Sequence, residues 1–290
     1  MSSRDLILTI MQGYDYPFVE PFFESLKKVG YRGDLVVFVS DDLSKATRKK
    51  LKTTQARLIG YKTAFPFIDA YSDAFNGITP SVSINNYRFI FYLQYLKEYC
   101  NDYDRVMLTD IRDVIFQLPP FSVLRNDSIS FFLEDEAQTF RHKFNYEWLA
   151  NATDRDTANS VADQQVSCAG ITIGGSKEII KYLEYMKAKL TGRDKLEWGL
   201  DQGIHNSYIY VKNPAGIKVF GSDKPYVINL GAYQPYHISP GGEVTTASGE
   251  PYAIVHQYDR SGKLFGLVKN KYIGNRLTQR LKRLYYLLMP

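Results

Sequence analysis

Apolar residues along the chain alternate between short unbroken runs and helical spacing, and that alternation predicts the architecture. Residues 6–11 (Leu-Ile-Leu-Thr-Ile-Met) read as a buried strand broken at Gly13, and residues 17–29 space their apolar side chains as a helix that stops at Gly30. A second apolar run at 35–39 leads through Ser40-Asp41-Asp42 into a Lys/Arg-rich helix reaching about Leu51, and residues 57–60 form a short third strand. Strands this continuously apolar are buried on both faces. The order β-α-β-α-β therefore predicts an α/β fold with a mostly parallel central sheet and helices on both sides.

Farther along, residues 85–99 place Ile90, Phe91, Leu93 and Leu96 at helical spacing and lead into an apolar strand, 105–109, that ends at Asp110. Strands are expected at 128–133, 169–173 and 217–220, with a helix at 177–190. Residues 226–251 are rich in Gly, Pro, Ser and Thr and read as loops carrying short strands. No flexible linker or fixed-period repeat divides the chain, which favours one domain. Near the C-terminus Ile273, Leu277, Leu281, Leu284 and Leu288 draw one apolar stripe flanked by Arg276, Arg280 and Arg283. Such a basic amphipathic helix suits either an anionic membrane surface or packing against the protein body.

Composition narrows the function classes. With 36 Lys+Arg against 31 Asp+Glu among 290 residues, the formal charge of +5 is mild and largely interspersed, so nucleic acid is not an expected partner. Cys100 and Cys168, the two cysteines, are too few for a disulfide framework or a four-cysteine zinc site, and a reducing compartment is expected. The first apolar run is too short and too closely flanked by Arg4 and Asp5 to serve as a leader or membrane span, so the expectation is a soluble, cytoplasmic protein. The abundance of 23 Tyr and 17 Phe suits a large core and also sugar or base stacking.

Candidate chemistry centres on Asp110 and Asp113. An apolar strand ending in two close carboxylates sets hard oxygen ligands at the carboxyl edge of a parallel sheet, where open α/β folds bind ligands. Asp also caps turns, and that reading remains open for both residues. Several other chemistries lack their signatures: no Gly-x-Gly-x-x-Gly turn or Walker loop occurs, and residues 11–17 offer only Gly13 where a sugar nucleotidyltransferase needs a glycine-rich phosphate loop. An aspartyl phosphatase would carry its carboxylates after the first strand.

Four elements in order resemble GT-A nucleotide-sugar glycosyltransferases, most closely the family-eight type exemplified by glycogenin and the lipopolysaccharide galactosyltransferases. Asp110 and Asp113 resemble that family's Asp-x-Asp pair, here spaced Asp-x-x-Asp, which leaves open which carboxylate holds the metal and which meets ribose or sugar. Residues 167–173, Ser-Cys-Ala-Gly-Ile-Thr-Ile, are similar to its Asn-Ala-Gly-Val strand, with Ala169 and Gly170 beside the donor. The Asp201-Gln202 pair with Asn206 resembles its Asp-Gln-x-x-x-Asn element, and His256 with Lys263 its closing His...Lys segment.

The resemblance implies a GT-A, Rossmann-like domain over residues 1–268, divided into a nucleotide-binding half (1–118) and an acceptor-side half (119–268), with 269–290 as a basic helical tail. It implies Mn²⁺ or Mg²⁺ on Asp110, Asp113 and His256, Asp201 and Gln202 at the reaction centre, and a UDP- or GDP-linked sugar donor. Met11, Gly13, Tyr14, Asp41, Arg88, Ala169, Gly170 and Lys263 would hold that donor. A glycan, lipid-linked or small hydroxyl acceptor would meet Glu134, Asp135 and Trp198, and a retaining outcome is favoured. A non-catalytic nucleotide-sugar or carbohydrate-binding module, or a sugar nucleotidyltransferase, is the alternative.

Overall fold

Residues 6–11 divide their side chains between two layers. Leu6, Leu8 and Ile10 enter one buried cluster, Ile7 and Met11 another, because successive strand side chains point to opposite faces. The computed structural model describes residues 4–41, 43–61, 80–122, 128–191, 193, 196–231 and 234–288.

In chain order the strands are β1 (Asp5–Met11), β2 (Asp34–Val39), β3 (Arg57–Gly60), β4 (Arg105–Thr109), β5 (Val114–Phe116), β6 (Ile129–Leu133), β7 (Ser167–Gly175), β8 (Ile217–Phe220), β9 (Val227–Asn229), β10 (His237–Ile238), β11 (Val244–Thr245) and β12 (Ile254–His256). The helices are α1 (Tyr16–Lys28), α2 (Lys45–Leu51), α3 (Pro80–Tyr99), α4 (Lys143–Ala152), α5 (Arg155–Ser160), α6 (Ser176–Leu190), α7 (Leu200–Ser207), α8 (Gly262–Tyr272) and α9 (Arg276–Leu288).

The main sheet has the order β3-β2-β1-β4-β7-β6-β8. Its pairings are parallel except where β7 runs against β4 and β6, so the expected mostly parallel α/β sheet is present. Helices α3, α6 and α7 cover the face of Leu6, Leu8 and Ile10, and α1 and α2 cover the other. Aromatic side chains fill both layers: Phe38 and Phe91 pack at 6.0 Å, and Phe22 meets Phe116 edge-on at 5.1 Å.

Two consequences of this order position the site. Strands β2 and β3 extend to one side of β1 and β4 lies on the other, so the chain reverses its build direction between β1 and β4, the crevice that open α/β sheets use for ligands. Because β7 alone is antiparallel, its first residues lie at the same edge as the last residues of β4. The Asp110 amide donates to the Gly170 carbonyl across that junction at 2.9 Å.

Several elements depart from the sequence reading. A second sheet, β5-β12-β9, was not legible, since its strands are three residues each and lack a readable period. One face of it joins the α1 layer through Phe116 and Ile254, while Ile115, Ile228 and Val255 pack against Leu264 and Val268 of α8. Helix α3 begins at Pro80, ahead of the expected 85, which puts Arg88 in mid-helix rather than near its start.

The C-terminal stripe does not lie on one helix. The chain breaks at Gly274, whose φ of +110° is in the region that favours glycine. Ile273 therefore caps α8 and is buried, and Asn275 restarts the chain as α9 by accepting the Thr278 amide at 3.0 Å. Both cysteines are free thiols. Among the described residues, no helix is long and apolar enough to cross a membrane.

Candidate metal centre and the cavity around it

Asp110 follows β4 and Asp113 precedes β5, so the four-residue turn between the two sheets carries both carboxylates. His256 ends β12, which pairs with β5 so that His256 lies opposite Val114. The Gln257 amide then donates to the Asp113 carbonyl at 2.7 Å, and Gln257 adopts φ +60° to make that turn. Strand pairing thus delivers an imidazole to two carboxylates distant in sequence. His256 Nε2 stands 3.4 Å from Asp110 Oδ2 and 3.7 Å from Asp113 Oδ1.

The hydrogen bonds around these groups fix which atoms face the centre. Asn229 donates its side-chain nitrogen to the carbonyls of Phe132 and Leu133 at 3.2 and 3.1 Å, so its Oδ1 is the end turned toward His256 Nδ1, 2.8 Å away. An amide oxygen only accepts, so Nδ1 carries the proton and Nε2 is the nitrogen left to bind. That Nε2 is buried and has no hydrogen-bond partner. Asp110 gives Oδ1 to Arg88 and keeps Oδ2 toward the histidine, while Asp113 has its Oδ2 3.4 Å from Arg112 and its Oδ1 toward the histidine.

Asp110, Asp113 and His256 could hold a metal ion: one ligand atom from each lies within 4.8 Å of the others. Gly170 makes room for the cluster, since a Cβ there would come within 2.3 Å of His256 Cε1 and 2.9 Å of Asp110 Oδ2. Two carboxylate oxygens and an imidazole form a mixed donor set suited to a divalent cation that retains open positions.

Electrostatics agree with a demand for positive charge. Burial resists a charge on His256, yet the Cys168 thiol and the two aspartates outweigh it and hold its pKa well above the usual range. Burial also resists ionisation of Asp110, but Arg88 and His256 bring its pKa down to about 2. Asp113 moves the other way: burial, reinforced by Asp110 and Asp259, raises it against the pull of His256 and Arg112. Leaving two carboxylates together in a sheltered site is costly unless a cation joins them.

The centre lies in a cavity of about 400 Å³ that Tyr14, Arg88, Glu134, Ala169, Gly170, Trp198, Asp201 and Gln202 also line, as expected from sequence. Their roles differ from a simple list of contacts. Arg88 is 9% exposed, ion-paired with Asp110 and 3.2 Å from Asp201, so its guanidinium joins two carboxylates. Gln202 accepts the Ala169 amide at 2.8 Å and donates to the Ser167 carbonyl, which makes its side chain the brace of β7. Asp201 lies in the first turn of α7, which Gly199 caps; its pKa is raised by burial against the opposing charge of Arg88. Glu134 is also pushed up, to about 6, mainly by burial.

Five expected site residues do not line the cavity. Met11 is fully buried in the α1 layer, and Gly13, at φ +71°, serves the turn after β1. Asp41 follows β2, where its carbonyl accepts Arg48 at 2.9 Å. Asp135 accepts the Ala137 amide at 2.9 Å within its own turn, and Lys263 is exposed at the start of α8.

The cavity includes other residues that sequence reasoning passed over: Arg112, Trp148, Cys168 and Arg260 among them. Arg112 is tied to Asp259 at 3.0 Å and lies over the Tyr14 ring at 5.8 Å. Arg260, on the helical turn after β12, is 55% exposed in its side chain. Its signal was available, since Arg260 follows His256 by four residues, but the fixed pattern pointed past it to Lys263. No protein-family model matches this chain, and comparison with curated proteins gives no match.

Proposed function

We propose that this protein is a metal-dependent glycosyltransferase of GT-A type that moves a sugar from a UDP- or GDP-linked donor to a hydroxyl acceptor. The observation that carries the reading is the buried, unpartnered Nε2 of His256 facing Asp110 and Asp113 at the β1/β4 crevice. The residues present fit a bound cation, because the free imidazole nitrogen and the space beside Gly170 both converge there. Mn²⁺ or Mg²⁺ bound there would supply Lewis-acid charge neutralisation for a departing diphosphate.

The chain's own residues supply the rest. Arg260 and Arg112, at the cavity, bring guanidinium charge toward the diphosphate. Tyr14, after β1, offers its ring to the nucleoside. Arg88 fixes Asp110 and Asp201, so the carboxylate that meets the metal and the one that meets the sugar are held by one guanidinium. Gln202 holds Ala169 and with it the Gly170 segment of β7 against which the sugar would rest.

Leu277, Leu281 and Leu284 of α9 are 65%, 58% and 46% exposed, beside Arg280, and no acidic residue occurs in 276–290. That face supports peripheral contact with an anionic membrane, where a lipid-linked acceptor would reside.

Calorimetry with UDP and GDP, with Mn²⁺ and then with chelator, tests the proposal. Nucleotide should bind with Mn²⁺ and much more weakly after chelation, and Asp113→Ala should abolish that difference. Affinity indifferent to chelation in the wild-type protein overturns it. Metal-dependent binding with neither hydrolysis nor transfer of any donor sugar would identify the non-catalytic module instead.

A further inference from the structure

Both tryptophans of the chain, Trp148 and Trp198, line the cavity that contains Asp110, Asp113 and His256. Their rings stand 4.7 Å apart at 83°, forming a corner, and Phe144 extends it outward, 6.3 Å from each. The wall is built rather than incidental. Gly199, at φ +79°, lies against the Trp148 indole so closely that a Cβ would fall 2.2 Å from it, and at Gly203 a Cβ would fall 2.0 Å from the Trp148 carbonyl. Two glycines of the α7 segment thus let α4 approach and seat Trp148, while Trp198, immediately before Gly199, is turned outward.

The corner is apolar and uncovered. Trp198 is 59% exposed and Phe144 55%, a large apolar area to leave in water beside a polar cavity. The lining of the same cavity also carries carboxylates and amides, Glu134, Asp201 and Asn85 among them. A ligand matching both halves has a flat C–H face for an indole and hydroxyls for carboxylate and amide oxygens, and it carries no negative charge. That is the chemistry of an uncharged sugar ring. Tyr14, Arg112 and Arg260 add a basic group to the lining that suits the donor nucleotide.

We infer that Trp148, Trp198 and Phe144 form an acceptor subsite that stacks an uncharged saccharide unit, so that the acceptor is a glycan and not a protein side chain or a simple alcohol. This rests on the glycosyltransferase reading for the word acceptor, but saccharide binding at the wall is measurable without donor or metal. With only these two tryptophans, intrinsic tryptophan fluorescence reports this wall alone.

The test titrates lactose, maltose, cellobiose and N,N′-diacetylchitobiose into the full-length protein in chelator. Saturable quenching or a shift of emission by at least one of them is expected, weakened about tenfold or more in Trp198→Ala and largely restored in Trp198→Phe, as loss of one stacked ring predicts. Nucleoside diphosphate binding with Mn²⁺ should be unchanged in Trp198→Ala. The inference is overturned if no saccharide of the panel perturbs the emission, if Trp198→Ala binds as well as wild type, or if the substitution abolishes nucleotide binding, which would assign the wall to the donor base. It is equally overturned if sedimentation shows a wild-type dimer that Trp198→Ala dissociates. Saccharide binding without metal-dependent nucleotide binding would sustain the wall and remove the transferase.

Discussion

His205 and His256 are equally buried, at 0% and 1% exposure, yet they are chemically opposite. Tyr182 OH lies 2.8 Å from Nδ1 of His205 and Ser167 Oγ 3.0 Å from its Nε2, so both ring nitrogens are satisfied by neutral hydroxyls. Burial then brings its pKa down to about 3, with Arg88 adding to the effect, and the ring is a neutral brace between α6, α7 and β7. His256 has one nitrogen committed to Asn229 and the other aimed without a partner at two carboxylates. Depth in the protein does not mark a ligand. What sets His256 apart is unused hydrogen-bonding capacity aimed at two carboxylates.

The largest effects should fall on the unsatisfied histidine. His256→Ala should lower sugar-transfer turnover a hundredfold or more, the usual scale for losing preorganised charge stabilisation, while leaving the fold intact by circular dichroism. Gly170→Ala should do the same without removing any ligand, because its methyl would occupy the space beside His256. Full activity in either variant would erase the distinction between the two histidines.

His205→Ala should show the reverse. It removes the imidazole that links the hydroxyls of Tyr182 and Ser167 and opens a void, at a cost of roughly 2–3 kcal/mol in chemical denaturation. Chelator-sensitive nucleotide binding should persist in the folded fraction.

Proton linkage sharpens the contrast at a slightly smaller scale. Glu134, at about 6, and Asp113, also raised, are harder to ionise folded than unfolded, so they withdraw stability as pH rises from the ordinary carboxylate range. His256 is raised, and its contribution is present below the usual histidine range and lost as pH climbs through its folded value. Asp110, at about 2, contributes above the carboxylate range and loses that contribution only as pH falls toward 2. Metal-free protein should therefore be most stable near about pH 4 and lose about 2 kcal/mol by neutrality. Thermal melts in chelator would show this, and saturating Mn²⁺ should reduce the part of the decline that Asp113 and His256 contribute; a flat chelated profile would contradict it.

The arginines extend the rule with the smallest effect. Arg88 is ion-paired with two carboxylates, whereas Arg260 is exposed at the cavity and Lys263 lies outside its lining. Arg260→Ala should weaken nucleoside diphosphate binding about tenfold at low salt, roughly 1.4 kcal/mol, and Lys263→Ala should barely change it. Calorimetry on the pair decides between them, and the opposite ranking would restore Lys263 as the phosphate contact.

Much of the main sheet was legible because its strands are near-continuous apolar runs and its helices carry a clear period: residues 57–60 and 217–220 appear as the strands read from the sequence. Helices α4 and α5 and the small β5-β12-β9 sheet were not, because each is short and draws its stability from contacts distant in the chain. Within the site, Asp110 was visible as the end of an apolar strand, whereas Trp148 had no local signal: its place is made by Gly199 and Gly203.

The sequence by itself determined a largely parallel sheet with carboxylates at its carboxyl edge, because strand and helix periods are local properties of side-chain order. Only the tertiary structure decided which groups at that edge are spent and which are free. Arg88 and Gln202 are consumed by neighbours, and His256 Nε2 is not. The reason is that hydrogen-bond saturation depends on which atoms meet, and here the meeting of residue 256 with 110 and 113 is made by a three-residue strand pairing across the fold.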